Sequence, residues 1–141
     1  MSARRNLLAA LATLGAALMW LPGCGPARPD VATYLATLTN ATPEQAAADR
    51  EFVAKLFAEQ AARHGLTPEK KPPSDAVALY FPGPTGLNLS LSALQSDEHS
   101  LILAVVPVAL GKKDNAACRA VIAAVNQALQ QHADGRLVTT P

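Results

Sequence analysis

Residues 87–93 constrain the fold more than any other segment, because apolar and polar residues alternate along them without a break. Leucine and alanine fall on one side, and asparagine and serine fall on the other. Successive side chains of a β-strand point to opposite faces of the sheet. The pattern therefore predicts a strand with one buried face and one solvated face, in a sheet that has a second layer on its leucine side.

Two further apolar segments flank this strand. Residues 76–81 predict a first strand, separated from the alternating segment by a Pro- and Gly-rich turn at 82–86. Residues 100–106 are apolar on both faces, which indicates a more enclosed strand. It ends at Pro107, where we expect pairing to fail or the residue to face an open edge, because proline has no N–H to donate. Short turns between consecutive strands favour an antiparallel meander.

Two amphipathic segments predict the second layer. The first begins at Thr42, where Gln45 completes a capping box around Pro43, and it ends at Gly65. The second follows Asp114, a favourable N-cap residue, and ends before the next glycine. Its inward stripe contains Cys118, Ile122, Val125 and Leu129, with Val121 beside it.

The order of elements is helix, three strands, helix. Residues 137–139 are rich in β-forming side chains, and the sequence leaves open whether they add a fourth strand. This order predicts an α+β two-layer sandwich, with a mainly antiparallel sheet of three or four strands and both long helices on the leucine face.

Residues 24–41 predict a tether in front of this domain, which we expect to span residues 42–141. Val31, Tyr34, Leu35 and Leu38 recur at the spacing of one helical stripe. The sequence leaves open whether they form a short helix or a chance stripe in an unstructured tether.

The first 23 residues have the features of a secretory signal peptide. Arg4 and Arg5 make a basic start, and an apolar run follows over residues 7–21. That run is shorter than the ~20 apolar residues of a spanning helix. A basic region, an apolar region and small residues in this order are typical of an export signal.

The end of this leader, Leu21-Pro22-Gly23-Cys24, resembles the lipobox of bacterial lipoprotein signal peptides. Leucine, glycine and cysteine match the pattern, whereas Pro22 stands where alanine or serine is usual. The resemblance implies cleavage before Cys24 and a diacylglycerol on its sulfur, which anchors the protein in the lipid bilayer. Gly25 implies the outer membrane, with the domain facing the periplasm.

A conventional signal peptidase is the alternative. A cut after Ala27 would release a soluble periplasmic or secreted protein. If Cys24 instead stays in the chain without a lipid, it could pair with Cys118, the other cysteine. An acylated Cys24 instead leaves Cys118 as a lone thiol, which the helical stripe places in the core. The two interpretations exclude each other.

Charge and composition argue against nucleic acid as a partner. Lys and Arg total 12 and Asp and Glu total 11 in the whole chain, and only 4% of residues are aromatic. Two of the arginines lie in the leader, so residues 24–141 have a net charge of −1. Such a domain has neither a basic footprint nor a stacking platform for bases.

No motif predicts catalysis, a metal or a cofactor. His64, His99 and His132 are not spaced as metal ligands, and there is no nucleophile elbow or phosphate loop. The turn that holds Asp97 and His99 is the one place from which a hydrolase site could assemble, and it ranks lowest. Asp49 and Gln60 fall in the apolar arc of the first helix, where we expect both to lie near water at its ends.

The polar face of the sheet is the predicted interaction surface. We expect Tyr80, Asn88, Ser90 and Ser92 there, together with Ala76, Ala78, Ile102 and Ala104. Small side chains and one aromatic make a shallow surface that a partner protein could cover. The expected function is thus a non-catalytic envelope module that acts by protein contact or as a structural element.

A carrier of small ligands is the alternative function. It requires an enclosed apolar cavity between the helices and the sheet, near Phe52, Leu56, Leu89 and Leu103.

Overall fold

The computed structural model of the chain describes residues 31–108 and 114–140. The predicted signal peptide, the lipobox with Cys24 and the first part of the tether lie outside the described residues. The same holds for residues 109–113, directly before the last helix.

The described chain contains six strands and two helices. In order they are β1 (Tyr34–Thr39), α1 (Pro43–His64), β2 (Leu66–Pro68), β3 (Ala76–Pro82), β4 (Leu89–Asp97), β5 (Ser100–Pro107), α2 (Asn115–His132) and β6 (Leu137–Thr140). The strands form one antiparallel sheet in the order β2-β3-β4-β5-β1-β6. The α+β class is confirmed, but the sheet is larger than the predicted three or four strands and the order of elements differs.

The largest difference is β1, which lies where the sequence suggested a short helix or an unstructured tether. It pairs with β5 on one side and β6 on the other. Ala36 and Leu38 are fully buried on one face, while Leu35 and Thr37 point to the opposite face. The same apolar spacing fits one stripe of a helix or both faces of a strand. Here the pairing with β5 favours the strand over the helix.

The other differences lie at the two edges of the sheet. β2 follows directly after Gly65 and pairs with β3, and nothing in its three residues predicted a strand. At the opposite edge, β6 is the terminal strand that the sequence left open, so that element is confirmed.

Helix α1 has the predicted limits because its caps form. The Thr42 side chain accepts a hydrogen bond from the Gln45 backbone N–H at 3.1 Å. The Gln45 side chain in turn accepts from the backbone N–H of Ala41 at 2.7 Å, one residue before the cap. Gly65 ends the helix in the left-handed conformation, with φ 67°.

Helix α2 ends and packs slightly differently from the prediction. Asp114 occupies the N-cap position, but its side chain makes no capping hydrogen bond. The helix ends at His132, before Gly135, which adopts φ 79° in the following turn. Its buried residues are Cys118, Val121, Val125 and Leu129, whereas Ile122 is only half-buried.

The core lies between the helices and one face of the sheet. Leu89, Leu91 and Ala93 of β4 are fully buried, which confirms the alternation of that strand. They belong to one apolar cluster with residues of both helices, including Val53, Phe57, Val125 and Leu129. Both helices therefore cover the leucine face, as predicted.

Candidate functional site

The face of the sheet that points away from both helices is the first candidate site, and we call it the outer face. Residues paired directly across antiparallel strands share a face. Ser92 pairs with Leu79 on one side and with Ala104 on the other, and Thr37 pairs with both Ile102 and Val138. By this register the outer face comprises Leu35, Thr37, Thr39, Thr67, Ala76, Leu79, Phe81, Ser90, Ser92, Leu94, Ser100, Ile102, Ala104, Val106, Val138 and Thr140, with Asp97 opposite Ser100 at one end.

The middle of the outer face, on β4, β5 and β1, is uncharged. A sheet face in water normally carries charged residues between its apolar ones. Here the charges lie at the rim: Asp97 pairs with Ser100, and Glu69 lies opposite Leu79, to whose carbonyl its backbone N–H donates at 3.0 Å. Phe81 and Val138, on the flanks, are 42% and 62% exposed. The outer face thus combines exposed apolar side chains on its flanks with an uncharged middle, where Ile102 and Ala104 are only 6% and 5% exposed.

The structure divides the residues predicted for the interaction surface. Ser90 and Ser92 lie on the outer face, and the Ser90 hydroxyl donates to the carbonyl of Val106 at 3.5 Å. Asn88 lies just before β4, and its backbone carbonyl accepts from Val108 at 2.9 Å. Tyr80 lies on the helix side, because it pairs with the buried Leu91 and packs against the core.

The register of β3 explains why Tyr80 and Ala78 lie opposite to the serines. A shift of one residue along a strand exchanges its two faces. The register seen in the structure places Leu79 beside Ser92 and brings Phe81 to the outer face. The outer face therefore has a more apolar flank than the sequence suggested.

A second candidate, which we call the Asp49 cluster, joins α1 to the end of α2 and to the turn before β6. Asp49 is fully buried and Gln60 is 6% exposed, so the expected position of both near water is wrong. Its carboxylate accepts two hydrogen bonds from Arg136, at 2.7 and 3.1 Å. His132 Nε2 lies 2.8 Å from Oδ1, and the side-chain amide of Asn40 donates to Oδ2 at 3.2 Å.

The electrostatics of the Asp49 cluster favour the ionised carboxylate. Burial by itself would raise the pKa of Asp49, but hydrogen bonds from Arg136, His132 and Asn40 outweigh it, and the pKa lies below its usual value. The hydrogen bond to Asp49 likewise raises the pKa of Arg136.

The partners of Asp49 are themselves held by neighbouring groups. The ring of His132 stacks on Phe52, with centroids 3.9 Å apart, and Arg136 also donates to the backbone carbonyl of Thr39 at 2.8 Å. These contacts link α1 to the end of α2 and to the turn before β6. The sequence signal for it was an acidic residue in the apolar arc of α1.

The remaining candidates from the sequence are dispersed. His99 is exposed on the β4–β5 turn, where its backbone N–H donates to the Asp97 carboxylate at 2.8 Å. The Ser100 hydroxyl donates to the same oxygen at 2.9 Å, so Asp97 stabilises the turn. Cys118 is fully buried, and burial, assisted by the charge of Asp114, raises the pKa of its thiol. A reactive cysteine needs the opposite shift.

Two open grooves lie on the described part of the chain, and neither is at the position predicted for a carrier's cavity. The residues expected around that cavity, Phe52, Leu56, Leu89 and Leu103, belong to the packed core or lie against it. One groove, of about 410 Å³, lies between Tyr34 and Arg119. The other, of about 390 Å³, lies beside Arg50 and Asp75.

Within residues 31–108 and 114–140, no group of three or more His, Cys, Asp or Glu side chains is placed to hold a metal ion. None of the helices in these same ranges is both long and apolar enough to cross a membrane. No family model, curated protein sequence or solved structure matches the chain significantly. The described residues thus define a class by architecture alone, a two-layer α+β sandwich whose outer sheet face is uncharged in its middle.

Proposed function

We propose that the protein is a lipid-anchored lipoprotein of the bacterial cell envelope that acts by protein contact and not by catalysis. The outer face, with an uncharged middle and exposed apolar side chains on its flanks, is the observation that carries the contact. The resemblance of residues 21–24 to a lipobox supports the anchor.

The outer face has the composition of a surface that another protein covers. Contiguous apolar patches with a polar surround mark interaction sites on soluble domains. Phe81 and Val138 offer exposed apolar area on the two flanks, and Ser90 and Ser92 offer hydroxyls near the middle. A partner that covers the middle and the β6 flank of this face removes apolar area from water without burying a charge of this chain.

The anchor keeps this surface near the membrane. Residues 25–33 connect Cys24 to β1. An extended segment of this length spans roughly 30 Å at most. The outer face is therefore available to partners that lie at, or close to, the same bilayer on its periplasmic side.

Intact-mass spectrometry of full-length protein extracted from membranes tests the anchor. We expect a mass that lacks residues 1–23 and carries added acyl chains, while Cys24→Ala leaves the leader uncleaved and the chain unmodified. Mature protein in the soluble fraction with an unmodified thiol at residue 24 would overturn the anchor.

Photocrosslinking in the native envelope tests the contact. A photoreactive residue at Ser92, on the outer face, should form a defined adduct with a protein. The same residue at Gln127, exposed on α2, is the matched control and should form none. Equal labelling from both positions, or none from Ser92, would argue against contact through the outer face.

A further inference from the structure

We infer that the free edge of β6 pairs with β6 of a second copy of this chain, so that two sheets join edge to edge across a twofold axis at Val138. This inference goes beyond the proposed function, because the contact is made by a sheet edge and is independent of what covers the outer face.

The two edges of the sheet differ in how they are protected. Sheet edges that do not pair with another chain are commonly protected by proline, by charge or by a very short strand. β2 is three residues long, contains Pro68 and is followed directly by Glu69 and two lysines. β6 has neither proline nor charge, and within residues 31–108 and 114–140 only β1 pairs with it. β6 is therefore the edge that is open to another strand.

The ladder between β1 and β6 determines which backbone groups of β6 point to the free edge. The backbone N–H of Thr39 donates to the carbonyl of Arg136 at 3.2 Å, so these two residues form a hydrogen-bonded pair. Hydrogen-bonded and non-hydrogen-bonded pairs alternate along an antiparallel ladder. The next hydrogen-bonded pair contains Val138, which directs the N–H and C=O groups of Leu137 and Thr139 away from β1.

These outward groups select a second copy of β6 as the partner. Leu137 and Thr139 lie on either side of Val138 at equal distances along the strand. A twofold axis through Val138 therefore places Leu137 of each copy opposite Thr139 of the other, and all of their outward N–H and C=O groups pair. Val138 then faces its own counterpart. Since its side chain is 62% exposed in the single chain, this pairing removes apolar area from water on both copies.

The groove beside β6 leaves room for the second copy. It has a volume of about 410 Å³, and Thr139 lines it together with Ile122 and Asn126 of α2. Thr139 and Leu137 both lie on the helix side of the sheet, because they pair with fully buried residues of β1. Leu137 of the second copy, opposite Thr139, thus lies on the same side of the sheet as the groove and has space for its side chain there.

Cysteine crosslinking in whole cells that make the full-length chain tests the inference. Directly opposed residues of a non-hydrogen-bonded pair have Cβ atoms about 4.5 Å apart, a distance that a disulfide can bridge. Oxidation of Val138→Cys with copper phenanthroline should yield a disulfide-linked species of twice the monomer mass. The unmodified chain contains the same Cys24 and Cys118 and should remain monomeric.

Two matched variants test the register. Thr140 is exposed on the same side of β6 as Val138, but the twofold axis places its two copies roughly 14 Å apart. Thr67 is an exposed residue of β2, at the opposite edge of the sheet. Neither Thr140→Cys nor Thr67→Cys should form the dimer. Equal yields from Val138→Cys and Thr140→Cys would indicate random collision and overturn the inference. A Val138→Cys chain that forms no dimer, or that links only to a different protein, would also overturn it.

A proline at the free edge should abolish the crosslink. Thr139→Pro in the Val138→Cys background removes an N–H that points away from β1, and proline is tolerated at such edge positions. We expect the dimer to be lost, whereas Thr139→Ala, which keeps the N–H, retains it. Undiminished dimer from Thr139→Pro would contradict the pairing. Urea denaturation shows whether the proline variant folds, and if it does not, the comparison of Val138→Cys with Thr140→Cys decides.

The outcomes are separate from those of the proposed function. The unmodified chain controls for the thiol at Cys24, so the crosslink is measured whether or not that residue carries a lipid. If Val138→Cys gives no dimer while a photoreactive residue at Ser92 labels a protein, the second copy is excluded and the contact through the outer face stands. If Val138→Cys gives the dimer while the residue at Ser92 labels nothing, the edge pairing stands and the contact through the outer face is overturned.

Discussion

At the residue scale, one buried carboxylate joins parts of the chain that are far apart in sequence. Asp49 on α1 contacts Asn40, which follows β1. It also contacts His132, at the end of α2, and Arg136, directly before β6. A buried carboxylate without such partners would be strongly unfavourable. The Asp49 cluster therefore stabilises the fold only while the carboxylate and its donors are all present.

Asp49→Asn tests the Asp49 cluster with almost no change in volume. We expect the free energy of unfolding to fall by about 2 kcal/mol at pH 7, because Arg136 loses its ionic partner and is only partly exposed to water. Asp134→Asn, an exposed change in the same turn, should stay within about 0.5 kcal/mol of the unmodified chain. Urea denaturation measures both. Equal midpoints for the two variants would show that the cluster does not stabilise the fold.

The same carboxylate predicts a dependence on pH. Because the pKa of Asp49 is lower in the folded state than in the unfolded chain, its contribution to stability is complete above the usual value of about 4 and is lost as the pH falls through the folded-state pKa. The difference in free energy of unfolding between the unmodified chain and Asp49→Asn should therefore shrink as the pH falls from about 5 to about 2. Urea titrations across this range measure it, and a difference that grows on acidification would contradict the assignment.

At the scale of elements, the two helices begin in different ways. The side chain of Thr42 caps α1, while that of Asp114 makes no capping hydrogen bond at the start of α2. Thr42→Ala should thus lower the free energy of unfolding by about 1 kcal/mol, and Asp114→Ala should lower it by only a few tenths. Thr42→Ser, which keeps the hydroxyl, is the control and should retain most of the stability. Thermal or urea unfolding measures the stability of each variant. A larger loss of stability from Asp114→Ala than from Thr42→Ala would show that the caps are misassigned.

Elements with a strong local signal could be predicted from the sequence, and those that depend on pairing could not. α1 has caps at both ends, and β4 alternates over its buried half. β1 and β2 have no such signal, because β1 resembles a helical stripe and β2 is three residues long. The outer face shows the same limit. The position of Ser92 on this face follows from alternation alone. That Phe81 and not Tyr80 lies on it follows only from the register between β3 and its neighbours.

At the scale of the whole molecule, the sheet is completed by the last strand of the chain. β1 lies between β5 and β6, so the first strand of the described chain is covered at one edge by the final one. Arg136, directly before β6, binds Asp49 and the backbone of Thr39. The carboxyl-terminal segment therefore supplies both a strand and an ion pair.

Truncation after Asp134 separates these two contributions when it is compared with Arg136→Ala. Both changes remove the ion pair with Asp49, but only the truncation also removes β6. We expect the truncated chain to be less stable than Arg136→Ala by about 2 kcal/mol, since β6 contributes several backbone hydrogen bonds and the half-buried Leu137. Hydrogen exchange gives the local readout. β1 amides should exchange faster in the truncated chain than in Arg136→Ala, while β3 amides, at the far side of the sheet, keep the same relative protection in both. Equal protection of β1 in the two variants would mean that the edge strand adds nothing beyond its neighbouring arginine.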